Sequence, residues 1–242
     1  MISIVTPAHN EEKLIGRCLE SIQVAAKKVK IPVEHIVVLN RCTDKTQEIC
    51  ESHGARTVVE NARNLSKIRN AGAAAAQGSI LITIDADSWV GPDMLKIVVK
   101  LLESNQYIGG GVKITPERMS LGIFCSMLVI APFVFARGWI SGGMFWCYKS
   151  DFDWIGGFDE SKNSVEDVDF ALRLKKHGKK MGKKYGTIRD EKLFTSCRKF
   201  DQFGDWCFVL KPWLVYKIFD GDKKTVDRFY YDMRSGAQVK NS

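Results

Sequence analysis

The run Ser79-Ile80-Leu81-Ile82-Thr83-Ile84 is apolar, uncharged and closes directly on Asp85-Ala86-Asp87. A segment this short suits a strand buried on both faces rather than a helix. Strands of that kind sit centrally in parallel sheets, which need crossover helices on both sides. Ile2 to Thr6 is a second β-branched run, ended by Pro7, and Ile36-Val37-Val38-Leu39 is a third, within a strand read from Glu34 to Leu39. Arg56 to Val59 reads as a short fourth.

The intervening segments have helical periods. Between Asn10 and Ala26, the residues Leu14, Ile15, Cys18, Leu19, Ile22 and Ala25 share one face. Glu11 and Glu12 are expected in the first turn, where acids suit the helix dipole. Thr43-Asp44 reads as the cap of a helix reaching about His53, with Gly54 as its stop. Ser66 to Gln77 is Ala-rich and helical, ended by Gly78, and Asp93 to Ser104 is helical with Pro92 near its start. Strands alternating with helices predict an α/β fold, in which ligands bind beyond the carboxyl ends of the strands. The polar residues after Thr6, Leu39 and Ile84 are therefore the first candidates for chemistry.

The second half is less regular. Gly142-Gly143 to Tyr148 reads as a strand after a turn, and Val165 to His177 as a helix stopped by Gly178. Leu121 to Ala136 carries no charge over sixteen residues, short of the roughly 20 that a membrane span needs. Gly122 and Pro132 are expected to interrupt it, and it reads either as a buried helix or as one lying in a membrane interface. Trp206 to Tyr231 mixes aromatics with Lys and Arg, suited to packing on the domain or to lipid headgroups.

Composition narrows the class. With 45% apolar residues in 242, the chain can bury a core without disulfides, and disorder is excluded. The seven cysteines are odd in number and form no CxxC pair, so they read as small core hydrophobes in a reducing compartment. Met1 to Pro7 does not look like a secretory leader, and the expected location is cytoplasmic or peripheral on the cytoplasmic membrane face. The formal charge is +8, and residues 175–199 hold ten Lys or Arg against two acids. That segment reads as a solvated face or as a patch for an anionic partner.

Five clusters carry chemistry. Asp85 and Asp87 can face one hard divalent cation, since Mg²⁺ commonly bridges one or two carboxylates to phosphates. Glu166-Asp167-Val168-Asp169 opens a helix and offers a general base. Thr6-Pro7-Ala8-His9-Asn10-Glu11-Glu12 and Asn40-Arg41-Cys42-Thr43-Asp44 supply polar groups at strand ends. Lys67 and Arg69 place cations at a helix start, suited to phosphate. Each cluster also has a plain reading as turn, cap or surface.

Together the five resemble the family 2 glycosyltransferases, whose fold is GT-A. The similarity rests on Ile4 to Glu12, Val37 to Thr46, Arg69-Asn70-Ala71-Gly72 through Gly78, Asp85-Ala86-Asp87, Gly156-Gly157-Phe158-Asp159-Glu160 and Glu166-Asp167-Val168-Asp169. It spans about residues 2–178 and implies a GT-A domain over 1–200, with a Rossmann-like nucleotide-sugar-binding half over 1–110, an acceptor half over 111–200 and a mixed central sheet flanked by helices; residues 201–242 read as a helical, aromatic extension. It implies transfer of a sugar from a nucleotide diphosphate donor to an acceptor hydroxyl, with inversion and with Mn²⁺ or Mg²⁺. Donor binding then falls to Thr6, Pro7, Asn10, Glu11, Asn40, Lys67, Arg69, Asp85 and Ala86, and the metal to Asp85 and Asp87. Asp167 is the implied base, with Glu166 beside it, and Gly143 and Trp146 form part of the acceptor side. Asn40 stands where the family usually has an Asp that reads the nucleobase, so the resemblance leaves the base open. No Gln-x-x-Arg-Trp follows, which disfavours the processive synthases. The acceptor is expected to be lipid-linked or soluble, with membrane contact through 121–136, 175–199 and 206–231, and no nucleic acid partner. The alternatives are a nucleotidyltransferase, disfavoured by the single Gly in residues 5–16, and a non-catalytic binder of membranes or anions.

Overall fold

The computed structural model describes residues 1–136, 143–162, 165–220 and 222. Gly142 and the last part of the expected membrane-facing tail, residues 221 and 223–231, lie outside them. In chain order the elements are β1 (Ile2–Ala8), α1 (Ile15–Ala26), β2 (Val33–Leu39), α2 (Thr46–Ser52), β3 (Arg56–Val59), α3 (Leu65–Ala75), β4 (Ile80–Ile84), β5 (Ser88–Val90) and α4 (Met94–Glu103). They continue with β6 (Tyr107–Pro116), α5 (Leu121–Ala136), β7 (Met144–Tyr148), α6 (Lys149–Trp154), α7 (Glu166–Lys180), β8 (Lys184–Thr195), α8 (Arg198–Phe203), α9 (Cys207–Leu210) and α10 (Trp213–Asp220).

The strands form one sheet in the order β3-β2-β1-β4-β7-β6-β8-β5. β1 runs parallel to β2 and β4, and β2 to β3. β7 is antiparallel to both β4 and β6, β8 is parallel to β6, and β5 returns antiparallel on β8. The expected α/β fold with a mixed central sheet is therefore the fold observed.

Side chains alternate across the sheet as the pleat requires. Ile80, Ile82 and Ile84 of β4 join the layer formed with α1 and α4, while Leu81 joins the opposite layer with α3, α6 and α7. Ile4 and Val5 of β1 divide in the same way. α1 buries Ile15, Cys18, Leu19, Ile22 and Ala25, the stripe its period predicts. Each such aliphatic side chain contributes about 1.5–3 kcal/mol when fully buried. All seven cysteines are free, five of them buried.

Several local expectations are corrected. α1 begins at Ile15, so Glu11 and Glu12 lie in the preceding loop and have no helix to cap. Gly178 does not stop α7, which runs on to Lys180. A Cβ there would overlap Ile108, so this glycine lets α7 lie close on β6, and Gly182 (φ +69°) follows the helix end instead. Gly122 and Pro132 do not break α5, which is one helix. β5, β6 and β8 were not legible in the sequence.

α5 is neither wholly core nor wholly surface. Ile123 and Ser126 are buried, and Val129, Ile130 and Phe133 pack on a small satellite core built on Cys207, Phe208 and Val215. Leu121, Phe124, Met127 and Leu128 face outward, as do Leu210, Trp213 and Tyr216. Among the described residues no helix is long and apolar enough to cross a membrane.

Candidate active site

Because β1, β2 and β4 are parallel, the residues that follow them meet at one edge. The first two loops are stitched together there. Asn10, at φ +51°, accepts from the Thr43 amide at 2.8 Å. Asp44 accepts from the Glu12 amide at 3.0 Å and from the Thr46 hydroxyl at 2.6 Å. The Glu11 amide donates to Thr46 Oγ1 at 2.7 Å. These polar residues lock loop against loop, and they leave the Glu11 carboxylate buried, with 1% of the residue exposed.

Asn40 is turned inward. It is 1% exposed, and its Nδ2 donates to the carbonyls of Glu60 and Ala62 while Oδ1 accepts from Arg41. Only an amide can donate in this place; an ionised Asp would face two carbonyl oxygens. Its side chain therefore secures the segment after β3. Thr6 is likewise buried in β1, with its hydroxyl 2.8 Å from His35 Nε2, and Pro7 and Ala86 are buried beside it in the fold.

Two arginines, Arg69 buried and Arg198 half-buried, organise the carboxylates. Arg69, reached from α3, donates from Nη1 to Glu166 Oε1 and from Nη2 to Asp85 Oδ1, both at 2.8 Å. Its guanidinium carbon lies 5.2 Å from the centre of the Phe158 ring. Burial alone would lower the pKa of Arg69, but Asp85 and Glu166 hold it above its usual value. Lys67 stands two positions away, roughly 200° around the helix, and is exposed. The two cations expected to act together on phosphate are thus separated, and Arg69 is committed to carboxylates.

The second arginine, Arg198, was not foreseen. Its Nη1 donates to Glu11 Oε2 at 2.8 Å and its Nη2 to Asp87 Oδ2 at 2.7 Å. The backbone explains its arrival: β8 pairs with β5, and the Ser196 amide donates to the Asp87 carbonyl at 3.0 Å. No local signal marks Arg198, which lay within the basic 175–199 segment.

Glu166 and Asp167 open α7. Burial raises the pKa of each carboxyl, against the pull of Arg69. Asp167 Oδ1 accepts from the Val168 amide, while Glu166 is tied to Arg69. Gly143, at φ +81°, accepts from the Asp85 amide through its carbonyl at 3.2 Å, which puts it at the site. Trp146 does not face it. It is fully buried, donates from Nε1 to the Gly111 carbonyl at 3.1 Å and packs beside Tyr107, so its indole offers no face to a sugar. The Gly156–Glu160 loop is fastened to α3 by Asn70, which exchanges two hydrogen bonds with Phe158.

Four carboxylates (Glu11, Asp85, Asp87 and Glu166) thus share two guanidiniums, and Asp167 stands beside Glu166 without a guanidinium of its own. The residual negative charge and the all-oxygen donor set of Asp85 and Asp87 suit a hard divalent cation. Among the described residues no group of three His, Cys, Asp or Glu is placed to hold a metal, so these two Asp would need water and phosphate oxygens to complete the shell.

A model of the family described as Glycosyl transferase family 2 matches residues 3–121. The uncharacterized glycosyltransferase EpsJ of Bacillus subtilis is 30% identical over 111 residues, which are 44% of this chain and 31% of that protein. An uncharacterized glycosyltransferase of Haemophilus influenzae is 24% identical over 191 residues, covering 72% of this chain and 62% of its own. The chain therefore spans less than two thirds of either relative. Among solved structures, S. aureus TarS 1-349 in complex with UDP-GlcNAc superposes with a TM-score of 0.60 at 18% identity, over 81% of this chain and 58% of that one. The mannosyltransferase PcManGT from Pyrobaculum calidifontis, in complex with GDP-Man and Mn²⁺, gives 0.59 at 18%, over 80% and 56%. The fold shared with these structures is GT-A.

Removing one partner of a buried ion pair costs about 3–5 kcal/mol. Arg69→Ala is expected to lower stability by about that much in urea denaturation. The orphaned carboxyl of Glu166, already raised by burial, loses the cation that opposes this shift, so the loss should be smaller at pH 5 and grow as pH rises to 8. A stability equal to wild type at pH 8 would mean that the bridge does not form.

Proposed function

We propose that this chain, whose residues 3–121 match the model of glycosyl transferase family 2, transfers a sugar from a nucleoside diphosphate donor to an acceptor hydroxyl, inverting the anomeric centre. The single observation that carries this reading is the set of four carboxylates held by two arginines at the carboxyl edge of β1 and β4, with Asp167 next to Glu166. A basic patch that merely bound anions would not gather acids there. Asp85 and Asp87 would hold the divalent cation, whose chemistry when bound is to neutralise the diphosphate leaving group. The neighbours TarS and PcManGT, crystallised with UDP-GlcNAc and with GDP-Man and Mn²⁺, support a donor and a metal of these classes.

In this reading Asp167 takes the proton of the acceptor hydroxyl. Glu166 is pinned by Arg69 and serves to hold that arginine on Asp85, while Asp167 keeps one oxygen outside its bond to the Val168 amide. A raised pKa suits a base, because a more basic carboxylate takes a proton more readily once ionised. The Gly143 carbonyl fixes the Asp85 backbone, so the acceptor side and the metal side are mechanically joined.

The acceptor in this reading is lipid-linked, and the contact surface is narrower than the sequence implied. Lys175, Lys176, Lys179 and Lys180 lie in the last turns of α7 and Lys183 and Lys184 lead into β8, while α5 begins beyond the far end of that strand, roughly 35 Å away at the rise of a strand. The apolar face of α5 (Leu121, Phe124, Leu128) and the aromatics Trp213 and Tyr216 of α10 are the better candidate for a bilayer interface. In vesicle sedimentation, Leu121→Glu/Phe124→Glu/Leu128→Glu should bind phosphatidylglycerol-containing vesicles at least tenfold more weakly than wild type. A wild type that stays in the supernatant would remove the bilayer from the proposal.

The donor is tested by thermal shift with UDP, GDP, CDP and dTDP, each with and without Mn²⁺. A ligand at 100 times its Kd adds about 2.7 kcal/mol, or roughly 5–10 °C for a chain of this size. One diphosphate should shift the wild type in the presence of Mn²⁺ and fail to shift Asp87→Ala. No shift with any diphosphate would sink the transferase reading.

The base is tested by Asp167→Asn, which should lower kcat by about 10² or more while keeping the donor-induced thermal shift. In the wild type, kcat/KM should fall as pH drops through a pKa above the usual carboxylate range, since the base works only when ionised. Near-full turnover by Asp167→Asn would assign the role elsewhere.

A further inference from the structure

Arg198 lies 77 positions beyond the segment that the family model matches, yet its guanidinium sits inside the site. Nη2 is shared between Asp87 Oδ2 at 2.7 Å and Glu11 Oε1 at 3.3 Å, and Nη1 bonds Glu11 Oε2 at 2.8 Å. Burial would lower the pKa of Arg198, but Glu11 and Asp87 hold it above its usual value, so the cation is permanent. Its Nε is buried without a hydrogen-bond partner, so the guanidinium is held only from its Glu11 and Asp87 side.

A divalent ion on Asp87 would stand about 2.0–2.6 Å from a carboxylate oxygen. The guanidinium already occupies that carboxylate. Two cations on one partly buried carboxylate repel with little screening from solvent. A nucleoside diphosphate changes the balance, because it brings negative charge to the metal and new acceptors to the arginine.

We propose that Arg198 is a built-in counter-cation that competes with the divalent ion for Asp87 and makes metal binding depend on the donor diphosphate. This rests on the reading of Asp87 as a metal ligand. The metal-free site is held closed by the Glu11–Arg198–Asp87 bridge, and metal and diphosphate load together. Arg198 also opens α8, whose Phe200 and Phe203 pack on the satellite core with α5 and α10. Loading of the donor site is thereby connected to the layer that carries the exposed apolar face.

The test is Mn²⁺ binding followed by electron paramagnetic resonance of the free ion, with no turnover involved. Wild type, Arg198→Gln and Arg198→Lys are titrated with Mn²⁺ alone and then with UDP or GDP present. Arg198→Gln should bind Mn²⁺ alone at least tenfold more tightly than wild type, and Arg198→Lys should stay near wild type. With diphosphate present the gap should close. A purely structural arginine would give the opposite sign, weaker binding on removal. Near-ultraviolet circular dichroism checks folding, and Arg198→Met replaces Arg198→Gln if the latter does not fold. Equal or weaker binding of Mn²⁺ alone by the folded variant, in a wild type that does bind Mn²⁺ with diphosphate, overturns the role of Arg198 only. Absence of Mn²⁺ binding in every protein, with or without UDP or GDP, overturns the metal reading of Asp87 and this inference with it.

Discussion

Negative charge is in excess at the carboxyl edge of the sheet, and the architecture around that edge is a set of ways to hold it there. Asp85 and Asp87 leave the end of β4, Glu11 leaves β1, and Glu166 and Asp167 open α7. Carboxylates do not share a partly buried site unless cations or protons offset them. Arg69 and Arg198 supply the cations, one from α3 and one from α8. The burial-raised pKa values of Glu166 and Asp167 show the same pressure expressed through protons. A further cation and a phosphate-bearing ligand fit this edge because the protein leaves it undercompensated.

The two arginines are unequal. Arg69 sits in the middle of α3 and is buried between two carboxylates, so it joins the end of β4 to α7. Arg198 is more exposed, stands at the start of a short helix and arrives only because β8 returns to pair with β5. One bridge is internal to the fold; the other fastens the last part of the chain to the site.

What could be read in the sequence followed short-range rules. The β4 run and its two Asp, the α1 stripe and the Glu166-Asp167 helix start depend on period, burial and neighbours in the chain. β6 and β8 escaped for equally physical reasons. Gly109-Gly110-Gly111 lacks the side chains that mark a strand, yet a Cβ on Gly110 would collide with Gly186 and with Trp146, so the strand needs bare backbone. β8 carries Lys184, Arg189, Asp190, Glu191 and Lys192 and lies toward the sheet edge, which hides its period. Asn40 shows the limit of reading a role from position: its chemistry as an amide was visible, but the two carbonyls it serves belong to a segment 20 residues on.

By itself the sequence determined an α/β chain that resembles the family 2 glycosyltransferases, with its polar clusters at the ends of β1, β2 and β4. Local hydrophobic period and strand-end chemistry are written in consecutive residues. The tertiary structure decided which of those polar groups are partners. It put Arg69 between Asp85 and Glu166, turned Asn40 and Trp146 into the interior, and brought Arg198 to Asp87 across 111 positions. Those outcomes depend on strand order and on the antiparallel return of β8, and charge pairing over such separations leaves no trace in local pattern.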